Sequence, residues 1–135
     1  MMIFYNNGNA VGEIRTSTTA TSFLTSSDYR LKENVSYTFD ATARLKQLKP
    51  ARFNFKADTD TTVDGFLAHE VSSIVPEAIT GAKDATREQD VYNSDGEKTG
   101  TETVPDYQSI DQSKLVPLLV KTIQELEARI TALES

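Results

Sequence analysis

The chain has no cysteine, which removes disulfides, thiolate metal sites and a cysteine nucleophile together. It has a single histidine, His69, and no cluster of residues with metal-ligand spacing, so no metal and no cofactor is expected. A Gly-rich phosphate loop is missing as well. No apolar stretch is long enough to cross a bilayer, and the N-terminus lacks a basic region followed by an apolar run. Basic residues are few: 14 against 20 acidic ones, for a net charge of −6. Nothing basic is clustered enough to neutralise phosphates, so nucleic acid and anionic membranes are poor partners.

What remains is a chain of 135 residues, enough for one modest domain with a small core. The tandem Met1-Met2 reads as a start placed ahead of a fragment, so the tail end of a longer chain is expected. Residues 1–25 are rich in Thr, Ser, Gly and Asn. Two β-type runs, 3–5 and 11–16, flank an Asn-Asn-Gly-Asn turn and predict a hairpin. With so few large apolar residues, 1–26 resembles the last piece of a fibrous β-stalk.

Residues 26–80 carry the clearest globular signal. Asp40 is placed to cap a helix over 41–48, which Pro50 stops. An alternating strand follows, with Phe53 and Phe55 on one face and Arg52, Asn54 and Lys56 on the other. Gly65 opens a second apolar run, 66–68, leading into a short helix that ends at Pro76. Residues 81–104 are polar apart from Val91 and Tyr92, with a turn at Asn93-Ser94-Asp95-Gly96. They predict either disorder or a long extruded hairpin, an extended arm. A short strand over 107–110 then precedes a helix capped by Asp111, spanning 111–135. Within it Val116, Leu119, Ile123, Leu126, Ile130 and Leu133 alternate spacings of three and four, which is a heptad seam. Arg129 and Glu134 flank it at positions suited to interhelical pairing. Pro117 sits near the helix start, where a missing N–H costs least. The seam serves a helix packed on its own domain or an association between chains. It does not count the chains, and Ile at a with Leu at d leans towards two.

Chemistry concentrates in Ser26-Ser27-Asp28-Tyr29-Arg30-Leu31-Lys32. A serine hydroxyl needs a base within hydrogen-bond reach to act as a nucleophile. A lysine serves when burial or a neighbouring cation lowers its pKa. Arg30 can be that cation, or can stabilise an oxyanion. Positions five apart lie about 140° apart on a regular helix. Ser27 must therefore precede the helix in a turn, or the lysine must come from another chain. The plainer reading of the same residues is a Ser or Asp cap on a charged amphipathic helix.

The string SSDYRLKENV at 26–35 resembles the Ser-Asp-x-Arg-Leu-Lys signature of a self-cleaving C-terminal intramolecular chaperone. That module is found in phage endosialidases, tail fibres and neck appendages, and in the eukaryotic myelin regulatory factor. The resemblance continues in order through LKPARFNF at 48–55, GFLAHEVSSIVPEAI at 65–79, and YQSIDQSKLVPLLVKTIQELEARITALE at 107–134. It implies a Ser–Lys dyad that cuts the peptide bond immediately before the serine. Carried onto this chain, Ser27 is the nucleophile, Lys32 the general base, and Ser26–Ser27 the scissile bond, with Asp28 and Arg30 in supporting places. The resemblance further implies an α+β domain of short strands and helices, 27–135. Its arm, 81–104, would hold the upstream stalk, and its C-terminal helix would join a trimeric coiled-coil-like bundle. The partners implied are two further copies of the chain and the stalk of the same polypeptide. The implied setting is a host cytoplasm during virion assembly, with release of the chaperone afterwards. His69 departs from the family pattern, which has glutamine there, and reads as a local polar substitution near a helix start. Glu70 and Glu77 are too isolated for a glycosidase pair.

A different class of function accounts for the same segments without chemistry: a structural fibre tip that keeps its C-terminal domain and binds a host receptor. Slow chemical breakage at Asn7-Gly8 or Asp95-Gly96 would fragment the chain without Ser27.

Overall fold

A computed structural model describes residues 1–135. The chain forms two compact units, residues 1–39 and 40–135.

The first unit is a three-stranded antiparallel sheet in the order β1 (Met2–Asn6), β2 (Asn9–Thr16), β3 (Thr21–Thr25). The predicted hairpin is present. Asn7 and Gly8 take φ of 48° and 80°, the pair of positive values that a two-residue turn between right-twisted strands requires. The third strand was not anticipated, because Thr21-Ser22-Phe23-Leu24-Thr25 has little hydrophobic pattern of its own. It is turned back by Ser17, whose hydroxyl accepts from the N–H groups of Thr19 and Ala20. Cross-strand pairing then aligns Met2, Ile14 and Phe23 in one row. No residue of this unit is buried, and only Gly12, Glu13 and Ile14 are half-buried.

After β3 the chain makes one 3-10 turn, Tyr29–Leu31. The amphipathic helix weighed from the sequence does not develop beyond it. Residues 32–39 run on without regular structure, and Tyr29, Leu31, Val35, Tyr37 and Phe39 all face solvent.

The second unit is a small α+β domain. Asp40 caps α1 (Ala41–Leu45) by accepting from the Ala43 N–H, as predicted. The helix proper is shorter than 41–48, although turn hydrogen bonds continue to Leu48. Strand β4 (Ala51–Phe55) pairs with β5 (Asp58–Gly65), a strand that its Asp-Thr-rich sequence hides. A bulge between Asn54 and Phe55 breaks the predicted alternation. Phe53 is half-buried and Phe55 exposed, their rings meeting edge to face at 5.2 Å. Next come α2 (Ala68–Val71) and a 3-10 turn at Pro76–Ala78. Strand β6 (Ile79–Thr80) pairs with β9 (Ser109–Ile110), closing the base of the segment between them.

That segment is the hairpin β7 (Thr86–Tyr92) and β8 (Lys98–Pro105). Of the two expectations for 81–104, the hairpin holds. Its tip turns at Asn93, whose side-chain oxygen accepts from the N–H groups of Asp95 and Glu97. Gly96 supplies the positive φ there, 80°.

Asp111 caps a 3-10 turn, Gln112–Leu115, which leads directly into α3 (Val116–Glu134). The core is Ala41, Val71, Val75, Ala78, Leu115 and Leu118, with Leu45, Leu48, Phe66, Ile74, Ile79 and Ile110 packed against it. One side of α3 therefore lies on α1, with Leu118 and Thr122 buried, and Leu115 of the preceding turn joins the same core. Further along, Glu125 accepts from both the backbone N–H and the hydroxyl of Thr42. The heptad seam is a different stripe. Val116, Leu119, Ile123, Leu126, Ile130 and Leu133 are 44–87% exposed.

Candidate active site

Each residue singled out between 26 and 32 is held by a local hydrogen bond with a visible cause. Ser26 ends the sheet: its N–H donates to the Val11 carbonyl at 3.2 Å, and its hydroxyl donates to the Ala10 carbonyl at 3.1 Å. Asp28 is the N-cap of the turn, its carboxylate accepting from the Arg30 N–H at 2.9 Å. The same carboxylate takes the Arg30 guanidinium in a two-pronged grip, both contacts 2.9 Å. The Leu31 N–H then donates to the Asp28 carbonyl and the Lys32 N–H to the Tyr29 carbonyl, both at 3.1 Å.

This single tight turn solves the spacing problem that a regular helix poses for Ser27 and Lys32. With the serine ahead of the turn and the lysine just past it, Lys32 Nζ donates to Ser27 Oγ at 2.7 Å. The pair forms within one chain. Serine hydroxyl and lysine amine are thus already at the distance that proton transfer needs, and both are open to solvent.

The supporting residues are placed differently from the sequence-based expectation. Arg30 is turned onto Asp28, raising its own pKa through that hydrogen bond. In return, the Arg30 side chain and backbone N–H hold the Asp28 carboxyl below its usual range, with a smaller contribution from Lys32. Together the two residues form the clamp that shapes the turn. The backbone N–H groups of Arg30, Leu31 and Lys32 are all spent inside it, so none is aimed at a developing oxyanion.

His69 lies elsewhere, exposed on α2 in the second unit. Glu70 pairs with Lys49 at 3.3 Å and Glu77 with Arg44 at 3.6 Å, two separate ion pairs. No three His, Asp or Glu side chains converge to hold a metal, and no helix is long and apolar enough to cross a membrane. Sequence reasoning named Ser26 only as half of the scissile bond and missed its anchor. The signal that would reveal it, an extra residue in β2 at Val11, is a matter of strand register.

The candidate site is thus a serine and a lysine paired just after a β-sheet and, in chain order, ahead of a small α+β domain. Residues 27–80 match the family Peptidase_S74, described as chaperone of endosialidase. That match supports an intramolecular chaperone role for this stretch. Among curated proteins none matches.

Proposed function

We propose that the chain is an intramolecular chaperone that trimerises, guides folding of an upstream phage-fibre or tailspike β-stalk, and then frees itself by cutting the bond before Ser27. The observation that carries the proposal is the 2.7 Å hydrogen bond between Lys32 Nζ and Ser27 Oγ. It is created by a turn that has no core of its own to serve.

Because Ser27 directly follows its target bond, its hydroxyl attacks the carbonyl carbon of Ser26. Lys32 takes the hydroxyl proton and passes it to the Ser27 nitrogen as the carbon–nitrogen bond breaks. The acyl group then sits on Ser27 Oγ as an ester. Water hydrolyses the ester, leaving a carboxylate at Ser26 and a free amine and hydroxyl at Ser27. Two features of the single chain hold this chemistry back. Lys32 Nζ donates to the hydroxyl it must deprotonate, and the N–H groups of Arg30, Leu31 and Lys32 are occupied. Cover from neighbouring chains would correct both, since burial favours the neutral amine and a second chain brings fresh donors. The exposed seam Val116, Leu119, Ile123, Leu126, Ile130 and Leu133 offers a place for such chains to join, three in this reading. The arm β7–β8 is the element suited to reach along the stalk.

The test is the mass of the purified full-length protein and of Ser27→Ala and Lys32→Ala. Wild type should lose residues 1–26 and yield a fragment beginning at Ser27. Both variants should assemble but stay whole, a loss of at least ~100-fold in rate for the base alone. Uncut wild type would leave the non-cleaving fibre tip as the better reading, and cleavage of either variant at the normal rate and position would remove the dyad.

A further inference from the structure

The upstream side of the candidate bond is held more closely than a chain end leaving a sheet requires. Regular antiparallel pairing runs Thr16↔Thr21 to Gly12↔Thr25, and the Ser26 N–H extends this ladder by one hydrogen bond, to the Val11 carbonyl. The Ser26 hydroxyl then takes the Ala10 carbonyl as well. In a regular strand, consecutive carbonyls point to opposite edges, so one neighbouring residue rarely meets both. Here the β1–β2 pairing jumps from Phe4↔Gly12 to Tyr5↔Ala10, leaving Val11 as an extra residue in β2. Such a bulge bends its strand and re-aims the groups beside it, and bulges are frequent next to active sites. Beside it, Gly12 lets β3 come close: a Cβ there would lie 2.8 Å from the Leu24 carbonyl oxygen. The Val11 bulge and Gly12 thus bring Ser26 against two carbonyls at once.

We infer that Ser26 is a positioning residue for the cut, its hydroxyl and N–H fixing the acyl half of the scissile peptide to the Val11 bulge. This rests on the cleavage reading above and adds a residue to it. A serine attacking the carbonyl immediately before itself must close a strained five-membered ring. Its rate depends on how far the peptide is already rotated towards that approach. Downstream, the Asp28–Arg30 turn fixes Ser27 and Lys32. Upstream, only Ser26 itself links the reacting carbonyl to the sheet. With its hydroxyl anchor gone, the carbonyl samples more orientations while the nucleophile and base are unchanged.

The experiment measures the first-order cleavage rate of the full chain in wild type, Ser26→Ala and Ser26→Thr, on samples whose circular dichroism matches. Ser26→Ala should cut about three- to tenfold more slowly, the range that one net neutral hydrogen bond can supply. Its pH–rate profile should keep the wild-type shape, because neither titrating group is touched. Ser26→Thr retains the hydroxyl and should restore the rate to within about twofold of wild type. If Ser26→Ala cuts at the wild-type rate, or Ser26→Thr is as slow as alanine, the hydroxyl does not position the bond. An uncut wild type would instead strike at the cleavage reading itself, so the two failures are separable.

Discussion

The two units of this chain are built on opposite terms. Residues 40–135 enclose a core in which Val71, Val75 and Ala41 are almost wholly shielded from water. Residues 1–39 bury nothing, and yet they hold the serine, the lysine and the turn that joins them. Hydrophobic burial of about 1.5–3 kcal/mol per large side chain can order the second unit. In the first, order comes from strand pairing and from hydrogen bonds that close over short distances. Such a region has a low local opening energy. A turn there can be formed yet open readily, whereas the same turn inside the core would be fixed from the outset.

The largest effect should come from keeping that turn uncovered. Replacing Ile123 and Ile130 with Asp would put six charges into the seam of the proposed three-chain bundle, which should abolish association. Neither side chain belongs to the core, so the second unit should stay folded. The double variant is expected to be monomeric in sedimentation and to remain uncut in a mass spectrum, although Ser27 and Lys32 are intact. Efficient cleavage in a demonstrably monomeric sample would show that the exposed turn is competent alone. Trimeric wild type would support the assembly proposed here. A stable dimer would mean that the Ile/Leu pattern of the seam outweighs the family resemblance.

A smaller effect should come from the core itself. Leu118 is 3% exposed on the α1 side of α3, and Leu118→Ala should cost about 2–5 kcal/mol in urea or thermal unfolding. Phe23→Ala, at a site 78% exposed in the first unit, should change stability by no more than about 0.5 kcal/mol. Comparable losses from the two would mean that the first unit has packing of its own that its exposure does not reveal.

The elements legible in the sequence were those with a local cause. The Asn7-Gly8 turn, the Asp40 and Asp111 caps and the Asn93–Gly96 tip each depend on residues within a few positions. The Ser27–Lys32 pair was legible as a motif, and one capped turn supplies its geometry. Strands β3 and β5 escaped because Thr- and Asp-rich segments become strands through their partners more than through propensity. Arg52 opposite Asp64, at 2.7 and 3.1 Å, is one such partnership. The seam was visible, but not that α3 would present a second stripe to α1. Leu115, Leu118, Thr122 and Glu125 fall on one face by their spacing of three and four, but its threonine and glutamate hide that face from a hydrophobic pattern.

The finest contrast is between two carboxylates that each hold the start of a helical turn. Asp28 caps its turn from within the motif, while Glu125 reaches the first turn of α1 from 83 residues away. Both carboxyls are held below their usual range. For Asp28 the cause is first the Arg30 side chain. For Glu125 it is first the Thr42 hydroxyl, then, against some loss of hydration, the Thr42 and Ala41 N–H groups and the Lys121 charge. A carboxyl whose folded value is depressed stabilises the fold fully above its unfolded value, ordinarily 4.5 for a glutamate, and the benefit fades as pH falls through the folded value. The Glu125 link joins α3 to α1 across the core, so its loss should register in the cooperative unfolding of the whole second unit. Loss of the Asp28 link should loosen one turn. Glu125→Gln is therefore expected to lower the urea midpoint modestly at pH 7. The gap from wild type should shrink below pH 4.5 and close as the wild-type carboxyl takes up its proton. Asp28→Asn should leave that midpoint in place at every pH. A Glu125→Gln gap that persisted undiminished to pH 3 would mean that the side chain acts through shape rather than charge. A midpoint shift from Asp28→Asn as large as that from Glu125→Gln would show that the turn beside Ser27 is bound into the core's cooperative unit after all.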